Sequence, residues 1–323
     1  MKFLYLVFSI LLLFSSCKSD QVNSLQEVLD SFSPEEQLMT IDPRKDNMIE
    51  GKKGSKVFIP ANAFQFKDGS LPAEKIVVSL KEFFSISDFV SNNLSTLSDG
   101  HLLETGGMLF ISAISERKEL EINKTKSYVI VFPNKDTVKK MESFYGVVNT
   151  LGQVNWIPAF RLSEEGNERS LTDTSSKNRD AYDSLFREKY SKYQNSVVEE
   201  MGVDAVNYSI LNSTRLGWIN CDRFLDEETE VTDFMVNTTG ATGALVYITF
   251  DNISSIMRGE EKNGSFIFRN IPVNSKIKVI GIAYQDGKPL LSKMPAVISK
   301  QPFILSGFNK FSLKELEKQL NSL

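Results

Sequence analysis

The sequence predicts a mainly β protein: two β-sandwich domains joined by a polar linker and an amphipathic helix, with a short C-terminal helix. Short segments alternate apolar and polar residues, a pattern that turns one face of each segment toward a core. Turn signals rich in glycine and aspartate recur between these segments, as is typical of β-sandwiches. Residues 161–180 contain almost no apolar side chains, so they divide the pattern into two halves.

The composition supports a large core and excludes several classes of function. With 323 residues, 41% of them hydrophobic, the chain is long enough for one large or two ordinary domains. A formal net charge of −4 without a basic stripe argues against a nucleic-acid partner. The single histidine, His101, excludes two-histidine metal motifs, and two cysteines are too few for a cysteine-based zinc site. We therefore expect no metal and no cofactor.

The first residues have the form of an export signal. Lys2 precedes the apolar run 3–14, which has signal-peptide length and is too short to cross a membrane comfortably. We expect residues 1–16 to be a signal peptide and residues 17–40 to be a polar tether carrying one or two helical turns. Ser33 followed by Pro34 is a candidate helix start within this tether.

The segment Phe14-Ser15-Ser16-Cys17 resembles the lipobox of bacterial lipoproteins, although leucine is usual where Phe14 stands. The resemblance implies that Cys17 carries a lipid, becomes the first residue after cleavage and attaches the protein to a membrane. An ordinary secretory signal with a cysteine near the cut is the alternative. The following Lys18-Ser19-Asp20 resembles the export tag of Bacteroidetes-type surface lipoproteins. This favours the outer membrane, with the cell surface preferred over its periplasmic face.

Residues 41–160 are predicted to form the N-terminal sandwich. Turn signals include Asp99-Gly100 and Gly106-Gly107, and the predicted strands are 57–60, 76–80, 108–114, 128–132, 144–148 and 154–157. Within this region the segment 54–64 resembles the opening of the ZU-five class of β-domain. That resemblance implies an interaction or processing module.

Residues 161–204 are predicted to be the linker and helix. Apolar and aromatic residues from Tyr182 to Met201 recur at three- and four-residue steps, which indicates an amphipathic helix. We expect its aromatic stripe to pack against a sheet, and a ligand-facing surface is the alternative.

Residues 205–323 are predicted to form the C-terminal sandwich, with strands near 208–210, 234–238, 244–250, 265–269 and 276–284. The segment from Gly264 to Val273 is similar to the carboxypeptidase-regulatory-like, transthyretin-like sandwich. That family is a non-catalytic accessory module, in which a glycine usually follows the proline found here as Pro272. Ser312 as a cap and Glu315 at the third helical position predict the C-terminal helix.

The densest group of distinctive residues is Trp218, Asn220, Cys221, Asp222 and Arg223. We expect Trp218 to anchor a core, Asn220 and Asp222 to bond their own backbone at a turn, and Arg223 to pair with Asp222 or a neighbouring acid. The cluster contains no general base that could activate the Cys221 thiol as a nucleophile. A buried junction between the two halves is the favoured interpretation, and a binding site is the alternative.

These observations predict a lipid-anchored, non-enzymatic binding or assembly module. Its expected partners are the membrane, through the lipid on Cys17, and an outer-membrane protein or a surface glycan. An accessory subunit of an outer-membrane transport or secretion machine is the first alternative, and a carbohydrate-active hydrolase is the least favoured. The triplets beginning at Asp136 and Asp183 resemble the O-glycosylation signal of Bacteroidetes-type exported proteins, which makes Thr137 and Ser184 candidate acceptors.

Overall fold

A computed structural model describes residues 22–133, 140–150, 152–161, 193–197, 199, 208–225 and 230–323. Strands hold 51% of these residues and helices 12%. The predicted mainly β class is therefore confirmed. Cys17, Thr137 and Ser184 lie outside the described residues, as do most of the predicted linker and the N-terminal part of its helix.

Fourteen strands precede residue 225 in the described chain. They are β1 (Gln37–Ile41), β2 (Asn47–Glu50), β3 (Lys56–Ile59), β4 (Phe64–Gln65), β5 (Ile76–Phe83), β6 (Leu97–Ser98), β7 (His101–Ser115), β8 (Lys118–Glu119), β9 (Glu121–Ile122), β10 (Tyr128–Phe132), β11 (Glu142–Val148), β12 (Val154–Pro158), β13 (Ser209–Ser213) and β14 (Gly217–Phe224).

The remaining strands form the C-terminal sandwich. They are β15 (Val231–Thr238), β16 (Leu245–Phe250), β17 (Ile256–Arg258), β18 (Glu260–Lys262), β19 (Ser265–Pro272), β20 (Lys276–Gln285), β21 (Lys288–Val297), β22 (Phe303–Leu305) and β23 (Asn309–Lys310).

Four main sheets are arranged as two sandwiches. Sheet I has eight strands in the order β1-β5-β7-β14-β11-β12, with β6 and β8 also on β7, and it faces sheet II, β13-β10-β3-β2. Sheet III, β17-β16-β20-β21-β23, faces sheet IV, β18-β19-β15-β22, while β4 and β9 form a separate ribbon. Nearly all pairings are antiparallel, and the β15–β22 pair is parallel.

Strands β13 and β14 belong to the first sandwich, whereas the sequence pattern predicts residues 205–224 to be part of the C-terminal half. Strand β13 pairs with β10, where Tyr128 lies opposite Ser213. Strand β14 lies between β7 and β11 in the middle of sheet I. The chain therefore passes through the predicted linker and returns to complete both sheets of the first sandwich. Local alternation could not reveal this, because it predicts a strand but not its partners.

The helices are short and their caps explain where they begin. Helix α1 (Leu25–Asp30) begins at Ser24, whose hydroxyl accepts a hydrogen bond from the Glu27 amide. The predicted start at Ser33 is therefore wrong, because α1 has already ended there. Helix α2 (Ile86–Ser91) has a capping box made by Ser85 and Asp88. Helix α3 (Leu313–Leu320) has the predicted box of Ser312 and Glu315.

The described part of the linker helix behaves as the sequence predicted. Residues 193–197 are helical, and Val197 is buried. Val197 and Tyr193 pack on sheet II against Phe58, Val129 and Val131. The aromatic stripe thus covers a sheet face at this point.

A junction core joins the two sandwiches. It contains α1, α2 and α3, the side of sheet I that faces away from sheet II, and the side of sheet III that faces away from sheet IV. Its fully buried members include Val28, Phe144, Trp156, Tyr247 and Leu320. Separate cores fill each sandwich. Sheet III is therefore covered on both faces, which explains the nearly continuous apolar run in β20.

The turn that follows β19 contains an asparagine with a left-handed backbone. Asn274 follows the end of β19 with φ 65°, in the left-handed region. Asparagine is the non-glycine residue that best tolerates this conformation. Asn274 therefore takes the backbone shape that a glycine would supply.

Candidate functional site

The residues singled out by the sequence lie on β14, in the middle of sheet I. Ile219 and Cys221 point into the first sandwich core. Trp218 packs against the junction core, and by strand alternation Asn220 and Asp222 share its side of the sheet. Both polar residues are fully buried. They therefore lie between the two halves of the protein and inside a strand, so the predicted turn at this position is wrong.

A β-bulge shapes the sheet beside this cluster. Asn220 pairs with Met108 and Asp222 pairs with Thr105, so Cys221 alone faces both Gly106 and Gly107 of β7. The predicted turn at Gly106-Gly107 is wrong, since both glycines lie inside β7. Gly107 has φ 126°, and a Cβ there would lie 2.2 Å from the Phe84 ring. Glycine is required at this position by both conformation and space.

Trp218 is half-buried in an aromatic group. Its ring centroid lies 5.0 Å from that of Phe83, 5.1 Å from Phe110 and 6.3 Å from Trp156. These separations are typical of attractive aromatic pairs. Gly146 on β11 leaves room for them, because a Cβ there would lie 2.5 Å from the Trp218 Cβ. Trp218 therefore anchors a core, as the sequence predicted.

The buried polar groups bond to one another across β7 and β14. The Asn220 amide donates to Asp222 Oδ2, and Asn220 Oδ1 accepts a hydrogen bond of 3.1 Å from the Thr105 hydroxyl. Thr105 in turn accepts from the Gly107 amide at 3.0 Å. Asp222 Oδ1 is buried and has no hydrogen-bond partner among the described residues. Each buried polar side chain thus fixes the next one at the bulge.

The environment of Asp222 favours its neutral form. Burial raises the pKa of Asp222 well above its usual value. The neighbouring Thr105 and Asn220 side chains lower the pKa of Asp222 in part, and the Glu104 carboxylate raises it further. A protonated carboxyl here can act as a neutral hydrogen-bonding group, whereas the charged form would be costly inside the junction core.

Arg223 pairs with Glu104 and not with Asp222. Its guanidinium donates from Nε at 2.8 Å and from Nη2 at 2.6 Å to Glu104 Oε2. The two residues lie opposite each other on β14 and β7. The Glu104 side chain is 7% exposed and that of Arg223 is 17% exposed, so this ion pair is largely buried. Cys221 is also fully buried.

A second buried carboxyl, that of Glu82, which was not among the predicted site residues, organises the turn after β2. Glu82 Oε1 accepts from the Ser55 amide at 3.0 Å and the Ser55 hydroxyl at 2.6 Å. Glu82 Oε2 accepts from the Lys53 amide at 2.8 Å and the Gln37 side chain at 2.9 Å. The sequence signal for this site was the position of Glu82 between apolar strand residues. Such a position indicates burial, and a buried carboxyl needs several hydrogen-bond donors.

The corner of sheet I formed by β1 and the adjoining parts of β5 and β7 is open to solvent. Leu38 is 66% exposed and Ile114 is 45% exposed. The strand register places Leu38, Thr40, Val77 and Ile114 on the same side of the sheet as Trp218. We call these four residues the open face.

Strand β1, whose only partner in the described residues is β5, forms the edge of this face. An open groove of about 400 Å³ continues from it, lined by Asp42, Pro43, Arg44, Ala73, Glu74 and Lys75.

The described residues contain no group of three or more histidine, cysteine or acidic side chains placed to hold a metal. None of the helices in this part of the chain has the length and apolar character needed to cross a membrane. The chain matches no family model, no curated protein and no solved structure.

Proposed function

We propose that this protein is a lipid-anchored, non-enzymatic binding or assembly module of the outer membrane, displayed at the cell surface. The lipobox-like sequence supplies the anchor at Cys17, and two sandwiches with a shared core supply a rigid body. A rigid scaffold of this kind presents its loops and edges for recognition.

The observation that carries the proposal is how soon after Cys17 the folded body begins. Helix α1 is packed in the junction core, where Val28 is 0%, Leu29 4% and Phe32 7% exposed. Burying these three side chains, two on α1 and one just after it, stabilises the docked segment by roughly 5 kcal/mol before entropy is subtracted. A lipid on Cys17 would therefore hold the folded body itself, and not a loose tail, beside the membrane.

The open face supports recognition of a protein partner. Strand β1 has the sequence Gln-Leu-Met-Thr-Ile, which contains neither a charge nor a proline to block pairing with another strand. An extended segment of a partner could add to this edge by main-chain hydrogen bonds and cover Leu38. A protein of the outer membrane offers such segments, so this feature favours the assembly role over glycan binding.

Detergent partitioning tests the anchor. The full chain is expected to enter the detergent-rich phase of a Triton X-114 extract, and Cys17→Ser is expected to move it to the aqueous phase. Cys221→Ser is the matched control, because Cys221 is buried in the first core and its loss should leave partitioning unchanged. A Cys17→Ser chain that stays with detergent would contradict the proposal.

Surface display and the accessory-subunit alternative need separate measurements. Protease added to intact cells should cleave a displayed chain, whereas a chain cleaved only after lysis faces the periplasm. Stable co-purification with a barrel protein after mild detergent extraction would favour the accessory-subunit role over a free-standing binder.

The hydrolase alternative requires two acids at a solvent-filled cleft. In the described residues the acids gathered at β14 are instead buried or ion-paired, with Asp222 at 0% exposed. Turnover of a glycan that disappears on substitution of a single exposed acid would be needed to support this role.

A further inference from the structure

We infer that the β20–β21 hairpin is the membrane-facing pole of the protein, so that the C-terminal sandwich serves as a pedestal and the N-terminal sandwich is held away from the lipid. This orientation rests on the proposed anchor at Cys17. It goes beyond that proposal because it assigns which surface of the body meets the lipid headgroups.

The first step is the position at which the described chain begins. The Tyr284 hydroxyl, near the end of β20, donates a hydrogen bond to the Val22 carbonyl. Val22 and Leu25 also pack against the junction core. The beginning of the folded body is thus fixed beside the turn Gln285–Lys288, where β20 and β21 meet.

The second step is the reach of the chain between the anchor and this point. Val22 follows Cys17 by only five positions. Five residues span at most about 18 Å even when fully extended. Wherever Cys17 lies, a lipid on it must therefore hold the hairpin end within about 20 Å of the membrane surface.

The third step is the direction of the strands. From Tyr284 to Lys276, β20 extends for roughly 26 Å away from the hairpin. At that far end the C-terminal sandwich contacts the first one: the Thr105 amide donates to the Ser254 carbonyl at 2.8 Å, and the Thr96 amide donates to the Ile256 carbonyl at 2.9 Å. The N-terminal sandwich thus contacts the end of the pedestal opposite the anchor.

The charges at the pole do not provide a second means of attachment. Asp286 pairs with Lys310 at 3.1 Å, and both side chains are about half exposed or more. Glu27 and Asp30 on α1 and Lys288 in the hairpin turn are exposed as well, so both signs of charge are present. A mixed surface of this kind has little attraction for anionic headgroups. The short covalent tether is therefore what orients the body.

Two single-cysteine labels test the orientation on the full lipidated chain in phosphatidylcholine vesicles. Lys288→Cys places a fluorophore at the pole, and Lys300→Cys places the same fluorophore at the far end, since both lysines are exposed. The buried Cys221 and the lipidated Cys17 leave the introduced thiol as the one that reacts. Each substitution removes one positive charge, so the pair is matched.

Energy transfer to a headgroup-labelled acceptor lipid is expected to be several-fold stronger from position 288 than from position 300. Inserting about ten Gly/Ser residues before Val22 should add about 17 Å of reach and reduce this difference while the protein stays bound. A chain that floats with the vesicles but shows equal transfer from the two positions, or stronger transfer from position 300, overturns the orientation alone. A chain that does not float overturns the anchor, and the orientation with it.

Discussion

The two ends of the outer side of sheet I differ in what covers them. At the β14 end, Trp218, Asn220 and Asp222 lie under the junction core, where the C-terminal sandwich and the three helices pack. In the open face, Leu38 and Ile114 are exposed to solvent, although they lie on the same side of sheet I as Trp218. The outer side of sheet I is therefore buried in one region and exposed to solvent in another.

The difference shows how the two ends are specialised. The covered end needs glycines for close packing, aromatic side chains to fill space and hydrogen bonds that link its buried polar side chains. The open end has none of these constraints, and its edge strand also lacks the charges that protect strand β18, whose sequence is Glu-Glu-Lys. Substitutions at the covered end should therefore change stability, and those at the open end should change binding.

The largest expected effect is at Trp156, which is fully buried and donates to the Ser95 carbonyl at 2.7 Å. Trp156→Ala should lower the free energy of unfolding by about 4 kcal/mol, because it removes a large ring and leaves a cavity. Ile114→Ala at the open end should change it by less than about 0.5 kcal/mol. Urea unfolding of both variants measures the two changes in the free energy of unfolding. Equal losses in the two variants would contradict the difference between the covered and open ends.

Gly107→Ala should lower the free energy of unfolding by about 3 kcal/mol, since it combines strain at φ 126° with a clash against Phe84. The neighbouring Gly106→Ala is the control for general effects at the bulge, because Gly106 has no positive φ. Thermal unfolding would give a much larger drop in Tm for the Gly107 variant. A smaller drop in Tm for Gly107→Ala than for Gly106→Ala would contradict the requirement for glycine at position 107.

Asp222→Asn should remove a pH-dependent loss of stability. Because the folded pKa of Asp222 is raised, the native state binds more protons than the unfolded chain above about pH 4. The free energy of unfolding of the wild type should therefore fall as pH rises from about 4 toward the folded pKa of Asp222. That of the asparagine variant should rise relative to the wild type over the same range. Glu104 and Arg223, which lie next to this group, keep their own pairing in both chains.

Urea unfolding at several pH values measures this difference between the two chains. A constant difference in the free energy of unfolding from pH 4 to alkaline pH would show that Asp222 does not titrate in this range.

The smallest expected effect on stability is that of Leu38→Lys, within about 0.5 kcal/mol, because the side chain is 66% exposed. Its effect on a partner should be large, since a lysine on an edge strand opposes the addition of another strand. Val148→Lys is the matched control on an exposed valine of β11. Cross-linking in cells should lose its partner band in the first variant and keep it in the second.

Local sequence patterns located some of the elements but none of their pairing partners. Alternation located β10 and most of β20, and the capping pattern at Ser312 located α3, because these signals are local. The return of β14 to sheet I, the bulge at Gly106 and Gly107, and the pairing of Arg223 with Glu104 all depend on contacts over more than a hundred residues. Such contacts are set by packing, which a single sequence does not display.

The candidate site was predicted only in part, because its unusual residues are visible locally and its packing is not. The sequence singled out residues 218–223 and favoured a buried junction. Trp218, Asn220 and Asp222 lie on the side of sheet I that faces the junction core, whereas Cys221 points into the first sandwich core. The open face was not anticipated, because the sequence placed Leu38 in the polar tether, whereas it lies in β1. Ile114 was placed in a strand, but the sheet order that leaves its side of β1, β5 and β7 uncovered is not visible in the sequence.

The mass of the N-terminal peptide tests the central claim most directly. The mature protein isolated from membranes should begin at Cys17, and its first peptide should carry the mass of a diacylglyceryl group on that cysteine. An unmodified Cys17, or a mature chain that begins at another residue, would contradict the lipid anchor on which the proposed function and orientation depend.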